Sequence, residues 1–337
     1  MITLVTGATS GLGRNAVEHL AALAQPVRGT GRDRKVGAAL RTQGIEFVAA
    51  DLATAQEADF DRLLDGVDTV WHCAALSSPW GRYRDFYAAN VEATARLAEA
   101  AVLRGVRRFV HISTPSVYSD YQHRLGIAET FRPARYVSHY ASTKAQAEGV
   151  IRAMAARHRA TGFVMLRPRA IFGPHDRALL PRILRVLRAR HGRLPLPRGG
   201  NVRLDLTYVA NVVHAMHLAT NCEGLAPGEV FNITNGESAT LRSVLEALLV
   251  PLGVPFRIVA PPYRILDAAA RLMEVYATFS ETEPALTRSS LGNLYYDMTL
   301  NIDKARTRLG YAPVTSLAEG IATTIEWIKT HGDDYGF

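Results

Sequence analysis

The first apolar run, Ile2-Thr3-Leu4-Val5, is short and uninterrupted by charge, the pattern of a parallel strand covered on both faces. Behind it the period changes. Asn15-Ala16-Val17-Glu18-His19-Leu20-Ala21-Ala22-Leu23 spaces its apolar positions by three and four, which predicts a helix. The alternation then repeats. Pro26–Gly31, Ile45–Ala49 and Val67–Ala75 read as strands, Asn90–Ala101 as a long helix, and Phe109–Ser113 as a further strand. A helix-compatible run carries Tyr140, Lys144, Ala147 and Ile151. Such alternation predicts an α/β fold, a doubly wound parallel sheet whose ligands bind at the strands' carboxyl ends.

After Pro168 the pattern loosens, and Phe172-Gly173-Pro174 breaks the strand before it. A helix from about Pro181 carries Ile183, Leu184, Val186 and Leu187 beside Arg182, Arg185, Arg188 and Arg190, and a basic, turn-rich segment runs on to Arg203. Pro261–Tyr276 reads as an amphipathic helix, expected to pack or to cap an apolar pocket, with a membrane surface as the alternative. The organisation expected is a dinucleotide-binding domain over 1–170, rejoined by 204–234, and a smaller C-terminal substrate lobe from 171–203 and 235–337. The end, 333–337, is expected to fray.

The candidate chemistry sits at the junctions. Gly7-Ala8-Thr9-Ser10-Gly11-Leu12-Gly13 lies between the first strand and the first helix. There a glycine-rich turn lets backbone N–H groups approach a pyrophosphate, which makes Gly7, Thr9, Ser10, Gly11, Leu12 and Gly13 candidate cofactor residues of a Rossmann-type fold. Arg32 follows the second strand and suits an adenosine 2′-phosphate, so NADP(H) is expected in preference, while Asp33 keeps NAD(H) possible. Asp51-Leu52 is placed to accept from the adenine amino group, and the small Ala74 and Ala75 let a ribose or phosphate come close. Tyr140 and Lys144, at i and i+4, share one helix face, and Thr114 lies where a strand should end. The cation is expected to pull the phenol below its reference pKa of about 10.

The net charge of +8, mostly arginine, raises nucleic-acid binding. No nucleic-acid motif accompanies it, and an anionic cofactor or substrate accounts for the balance with fewer assumptions. Cys73 and Cys222 form no framework and read as reduced. His214 and His217 lack a third ligand, so no metal is expected. The chain opens straight into a strand and holds no apolar run of spanning length, so a cytoplasmic protein without stable membrane insertion is expected.

Taken together the chain resembles the extended short-chain dehydrogenases/reductases, and within them the 3β-hydroxysteroid dehydrogenase-like branch. The motifs are the glycine turn, Asp51-Leu52, His72-Cys73-Ala74-Ala75, Asn90–Thr94, Ser113-Thr114 before Val117-Tyr118, Tyr140/Lys144, Leu166–Pro174, Leu204–Val209 and Asn301–Ala305. Cys73–Gly81 with Tyr83, Phe86 and Tyr87 favours that branch over sugar-nucleotide epimerases. The glycines depart from the extended pattern, being spaced GxxxGxG, and Ala93 stands where the branch often has glycine. The resemblance implies Tyr140 as general acid, Lys144 as its partner on the nicotinamide ribose and Thr114, with Ser113 and Ser116 as nearby alternatives, as the hydroxyl that polarises a carbonyl. It implies further cofactor contacts from Asn90, Pro168 and Ile171, and substrate contacts from Ser77, Trp80, Ser116, Arg169 and Arg203. It also implies a homodimer. The expected reaction interconverts β-keto and β-hydroxy groups on a hydrophobic, anionic substrate, a 2-alkyl-3-oxoalkanoic acid first and a sterol second. An NAD-dependent sugar-nucleotide epimerase or dehydratase is the enzyme alternative, and a non-catalytic NADP-sensing binding protein the alternative of another class.

Overall fold

The computed structural model describes residues 1–176, 180–280 and 282–332; the expectation for 333–337 lies outside them. Seven strands form one sheet: β1 (Ile2–Thr6), β2 (Val27–Gly31), β3 (Glu46–Ala49), β4 (Val67–His72), β5 (Arg108–Ile112), β6 (Gly162–Pro168) and β7 (Glu229–Ile233). Their order is β7-β6-β5-β4-β1-β2-β3, with every pairing parallel. The order reverses between β1 and β4, which opens a crevice at the carboxyl ends of those strands.

Helices cover both faces. Leu4 and Val5 are fully buried, yet they face opposite layers, because successive strand side chains alternate. Val5 packs with Val17 and Leu20 of α1 (Gly11–Ala22) and with Val212 and Met216 of the helix Val209–Asn221. Leu4 packs with Leu63, Leu97, Ile151 and Ala155, from the helices α2 (Glu57–Leu64), α3 (Ala93–Leu103) and α4 (His139–Arg157). The unbroken apolar run at the start of the chain is thus a requirement of double coverage, each such side chain contributing about 1.5–3 kcal/mol.

A four-stranded sheet joins Ser238–Thr240, Arg203–Asp205, Met298–Leu300 and Arg124–Ile127. Arg193–Pro195 pairs with Arg257–Val259, and Ile171–Phe172 with Thr207–Tyr208. A separate cluster holding Leu184, Leu187, Leu194, Leu204, Leu245, Leu248 and Ile321 fills the space among these elements.

Three sequence expectations change. The fourth strand stops at His72, so Ala74 and Ala75 lie in the loop beyond it. Asn90 sits in a π-helical turn, Ala88–Glu92, ahead of α3. The helix expected to pack or cap from Pro261 spans Tyr263–Ser280 and buries only Ala270 and Ala277. Among the described residues no helix is long and apolar enough to cross a membrane.

Candidate active site

The strand pairing of β5 with β6 runs one residue past the strand end, where Ser113 N–H donates to the Leu166 carbonyl at 2.7 Å. Thr114 then leaves the sheet and caps the short turn Pro115–Tyr118. Its Oγ1 accepts from Ser116 N–H at 3.2 Å and donates to Ser116 Oγ at 3.1 Å. Opposite it, Ser138 caps α4 by accepting from Ala141 N–H at 3.1 Å. This starts the helix so that Tyr140 falls in its first turn and Lys144 one turn later. The Tyr140 hydroxyl meets the Thr114 side chain, so two hydroxyls converge at one point.

Lys144 does not behave as the spacing suggested. Its side chain is 1% exposed, with Nζ donating to the Ile112 carbonyl at 2.7 Å and lying 3.1 Å from His111 Nε2. Burial drops its pKa to about 8, with Glu148 and Cys73 pulling the other way. Two of the ammonium's three N–H groups are therefore engaged beneath the site. Tyr140 loses water around its hydroxyl and its pKa rises, with the Thr114 bond pulling it back. The expected lowering is thus a rise in this state, and the phenol is held as a proton donor.

A chain of buried polar groups fixes the floor. Ala74 N–H donates to Thr6 Oγ1 at 3.0 Å, and Thr6 Oγ1 lies 2.8 Å from His72 Nδ1. Thr94 gives its proton to the Asn90 carbonyl at 2.7 Å, so its oxygen accepts from His72 Nε2 at 2.9 Å. His72 is neutral, because burial and then Lys144 push its pKa down to about 3. Asn90 accepts from Leu76 N–H at 2.7 Å and donates to the Leu76 carbonyl and to Thr143 Oγ1, each at 3.1 Å. Its amide is spent on the loop that carries Ala74 and Ala75, which gives it a positioning place rather than an open face. Sequence reasoning gave no site role to Thr6, Thr94, Thr143 or His111; the available signal was a polar residue among apolar neighbours, in strands for Thr6 and His111 and in helices for Thr94 and Thr143.

A second buried group ties together the three elements around Thr114, Tyr140 and Lys144. Glu148 Oε1 accepts from Ser113 Oγ at 2.7 Å and from Arg167 Nε at 2.6 Å, while Oε2 accepts from Arg167 Nη2 at 2.5 Å. Arg167 also bonds the Tyr118 hydroxyl, which donates to Asn232 Oδ1 at 2.8 Å. The ends of β5 and β6 and the middle of α4 are thereby clamped together near Thr114, Arg169 and Lys144.

At the glycine turn, Gly7 has φ +69°, and a Cβ there would stand 3.0 Å from Ala74 N. A Cβ on Gly13 would stand 2.3 Å from the Gly7 carbonyl oxygen, so both positions demand glycine. Gly11 has φ +49° and open space where a side chain would be. Ser10 is the N-cap of α1 but its side chain makes no cap bond, and the first turn holds no acid. One first-turn donor, Gly11 N–H, is taken by the His175 carbonyl at 3.1 Å, and the end of α1, with no side-chain cap and no acid, fits a dinucleotide pyrophosphate through its other N–H groups. Thr9 lies against Gly31, Leu12 packs into the core, and Leu52 is buried. Asp33 accepts from Lys35 N–H and Val36 N–H as the cap of the helix Arg34–Thr42. Arg32 stands 76% exposed, 4.0 Å from the Asp51 carboxylate.

On the substrate side, Ser77 is exposed, and Trp80 is partly buried with its N–H on Ser78 Oγ at 3.2 Å. Pro168 ends β6, Ala170 turns the chain at φ +44°, and Ile171 pairs with Thr207. Arg169 is 8% exposed and its Nε has no partner. Asp205, the acid that acts on it, has its own carboxyl pushed up to about 6 by burial. Arg203 is exposed on the strand it shares with Asp205, and among the described residues no hydrogen bond or ion pair joins it to Thr114, Tyr140 or Lys144. Cys73 and Cys222 are both free.

A parallel sheet with a glycine turn at β1 and hydroxyl, phenol and amine groups gathered at β5 is the architecture of a nicotinamide-dependent oxidoreductase. The family model described as "NAD dependent epimerase/dehydratase family" matches residues 3–234. The uncharacterized protein YbjS of Escherichia coli (strain K12) is 46% identical over 334 residues, 98% of this chain and 99% of that one. The 2-alkyl-3-oxoalkanoate reductase of Stenotrophomonas maltophilia (strain K279a) is 35% identical over 297 residues, 84% and 86% of the two chains. Among solved structures, MoeE5 in complex with UDP-glucose and NAD is 26% identical, with a TM-score of 0.76 over 98% of this chain and 99% of that one. The chain belongs to the NAD dependent epimerase/dehydratase family, the extended short-chain dehydrogenases/reductases.

Proposed function

We propose that the protein reduces the β-keto group of a hydrophobic 2-alkyl-3-oxoalkanoic acid, with NADP(H) preferred over NAD(H). The observation that carries this reading is the meeting of Tyr140 and Thr114 at the end of β5, with the phenol kept protonated. The cofactor, when bound, supplies the hydride. The glycine turn and the N-terminal end of α1 would hold its pyrophosphate, and Arg32 its 2′-phosphate. Thr114, its hydroxyl turned from Ser116 Oγ, and Tyr140 both donate to the substrate carbonyl oxygen, and Tyr140 gives up its proton as that oxygen becomes an alcohol. Lys144, fixed on the Ile112 carbonyl, sets a positive charge beneath the phenol as the proton leaves. Arg169, a buried guanidinium with an unpartnered Nε, takes the substrate carboxylate, and Trp80 lines the alkyl side. The 35% identical relative named 2-alkyl-3-oxoalkanoate reductase supports the substrate class.

The reading is tested by NADPH oxidation across a panel of 3-keto acids, 3-ketosteroids and UDP-sugars. Turnover confined to the acids is expected. Cofactor retained through purification, with UDP-sugars interconverted and no net consumption, would favour the epimerase alternative that the likeness to MoeE5 raises.

Two variants separate the assignments. Arg32→Ala should shift the NADPH-to-NADH ratio of KM values by roughly ten- to hundredfold, the size of a charge-assisted bond; an unchanged ratio counts against the phosphate contact. Arg169→Leu should raise KM for a keto acid by a similar roughly ten- to hundredfold factor while leaving a neutral ketone analogue near its wild-type value. Equal changes for both substrates would remove the carboxylate role.

A further inference from the structure

The helix Tyr263–Ser280 is about 27 Å long by its rise per residue. Ile265, Leu272, Val275, Tyr276 and Phe279 stand 59–84% exposed along it, at spacings that place them on one face. Large apolar side chains exposed singly are ordinary; five on one helical face form a patch that marks a docking surface.

The charges around the patch say what docks. The helix carries two acids, and both are turned inward: Asp267 pairs with Arg288 at 2.8 Å and Arg271 at 3.0 Å, and Glu274 accepts from Arg288 N–H at 2.7 Å. The exposed face of the helix therefore presents apolar groups and Arg264, with Arg271 paired to Asp267 and the exposed Glu283 three residues beyond the helix end. Just before the helix, the strand Arg257–Val259 pairs in parallel with Arg193–Pro195, with Arg257 opposite Arg193. Both are exposed, and neither has a carboxylate partner among the described residues. Two like charges in register are unfavourable until an anion lies between them. Residues 182–203 add further arginines and contain no Asp or Glu.

We propose that this helix rests on an anionic phospholipid surface, its apolar stripe at the boundary of headgroups and acyl chains and the neighbouring arginines on lipid phosphates. A second copy of the chain fits less well, because self-contact across a two-fold axis would set one arginine-rich rim against the same rim. The proposal reaches beyond the catalytic reading and does not depend on it; it places the substrate lobe where a hydrophobic substrate is most concentrated.

The test is co-sedimentation of the full chain with vesicles of phosphatidylcholine alone or with about a quarter phosphatidylglycerol. Binding to the anionic vesicles, weakened by salt and absent on the neutral ones, is expected. The double variant Leu272→Ser/Phe279→Ser, at exposed positions, should keep the wild-type melting temperature and lose at least about tenfold in vesicle affinity. Arg257→Gln/Arg264→Gln should weaken binding to the anionic vesicles as well. No partition onto anionic vesicles, or equal partition by the apolar double variant, overturns the proposal. So does concentration-dependent self-association that the same variant abolishes without any vesicle binding. Vesicle binding in a protein inactive on every ketone would sustain this inference while removing the proposed function.

Discussion

Tyr140→Phe lowers the turnover of ketone reduction by about 10²–10⁴-fold and leaves the fold and NADPH affinity intact. Only one oxygen is removed, from a ring that is partly buried and whose hydroxyl meets the Thr114 side chain, so little stability is at stake. The chemistry loses its proton donor. Its pH dependence follows from two shifts with opposite consequences. The raised pKa of Tyr140 keeps the phenol protonated through neutrality, so reduction has no acidic partner to lose there. Lys144, lowered to about 8, gives up its charge as pH rises past that value, and reduction should decline on this alkaline limb. Stability moves the other way. The unfolded chain holds the Lys144 proton up to about 10.5 and the folded chain only to about 8, so between these values the unfolded state binds more protons and stability rises with pH. Rate profiles and urea midpoints across that window check both signs. Near-wild-type turnover of Tyr140→Phe would remove Tyr140 from the mechanism.

Glu148→Gln costs about 3–5 kcal/mol of folding stability. The neutral amide would keep the shape and the bond from Ser113, but it would leave Arg167 charged, fully buried and without its counter-ion. Against a total stability of about 5–15 kcal/mol this is a large fraction. Removing both charges in Glu148→Gln/Arg167→Met should restore much of the loss, since the penalty lies in the orphaned guanidinium rather than in the missing bond. Urea midpoints at constant slope measure this. A single variant no less stable than the double would show that the pair is not coupled.

Most of the main sheet was legible because its strands are local, each run of about five residues announcing itself by period and composition; Glu229–Ile233 was not read as a strand. The glycine turn was legible for the same reason, and its fixed conformations follow from Gly7 and Gly13 lying against Ala74 and each other. The meeting of Tyr140 with Thr114 followed once a strand end and a helix start could be placed. What could not be read was anything set by contacts between distant segments. Lys144 is captured by the Ile112 carbonyl and His111, which no i,i+4 rule contains, and burial of the Tyr140 hydroxyl raises the pKa that the cation was expected to lower. The Glu148–Arg167 pair joins a helix to a strand 19 positions on. The four-stranded sheet assembles strands of three or four residues from 124–127 to 298–300, too short for a period. For Tyr263–Ser280 the amphipathic pattern was plain, but sequence could not say that the apolar face would be the uncovered one.

The central claim is a hydride delivered to a β-carbonyl between Thr114 and Tyr140. NADPH deuterated at its transferable position, incubated with the protein and a 2-alkyl-3-oxoalkanoic acid, tests it directly by mass spectrometry of the product. Deuterium is expected on the carbon that bears the new hydroxyl, at a rate suppressed in Tyr140→Phe. Label retained in the cofactor, or transfer to that carbon at an equal rate in the variant, would contradict it.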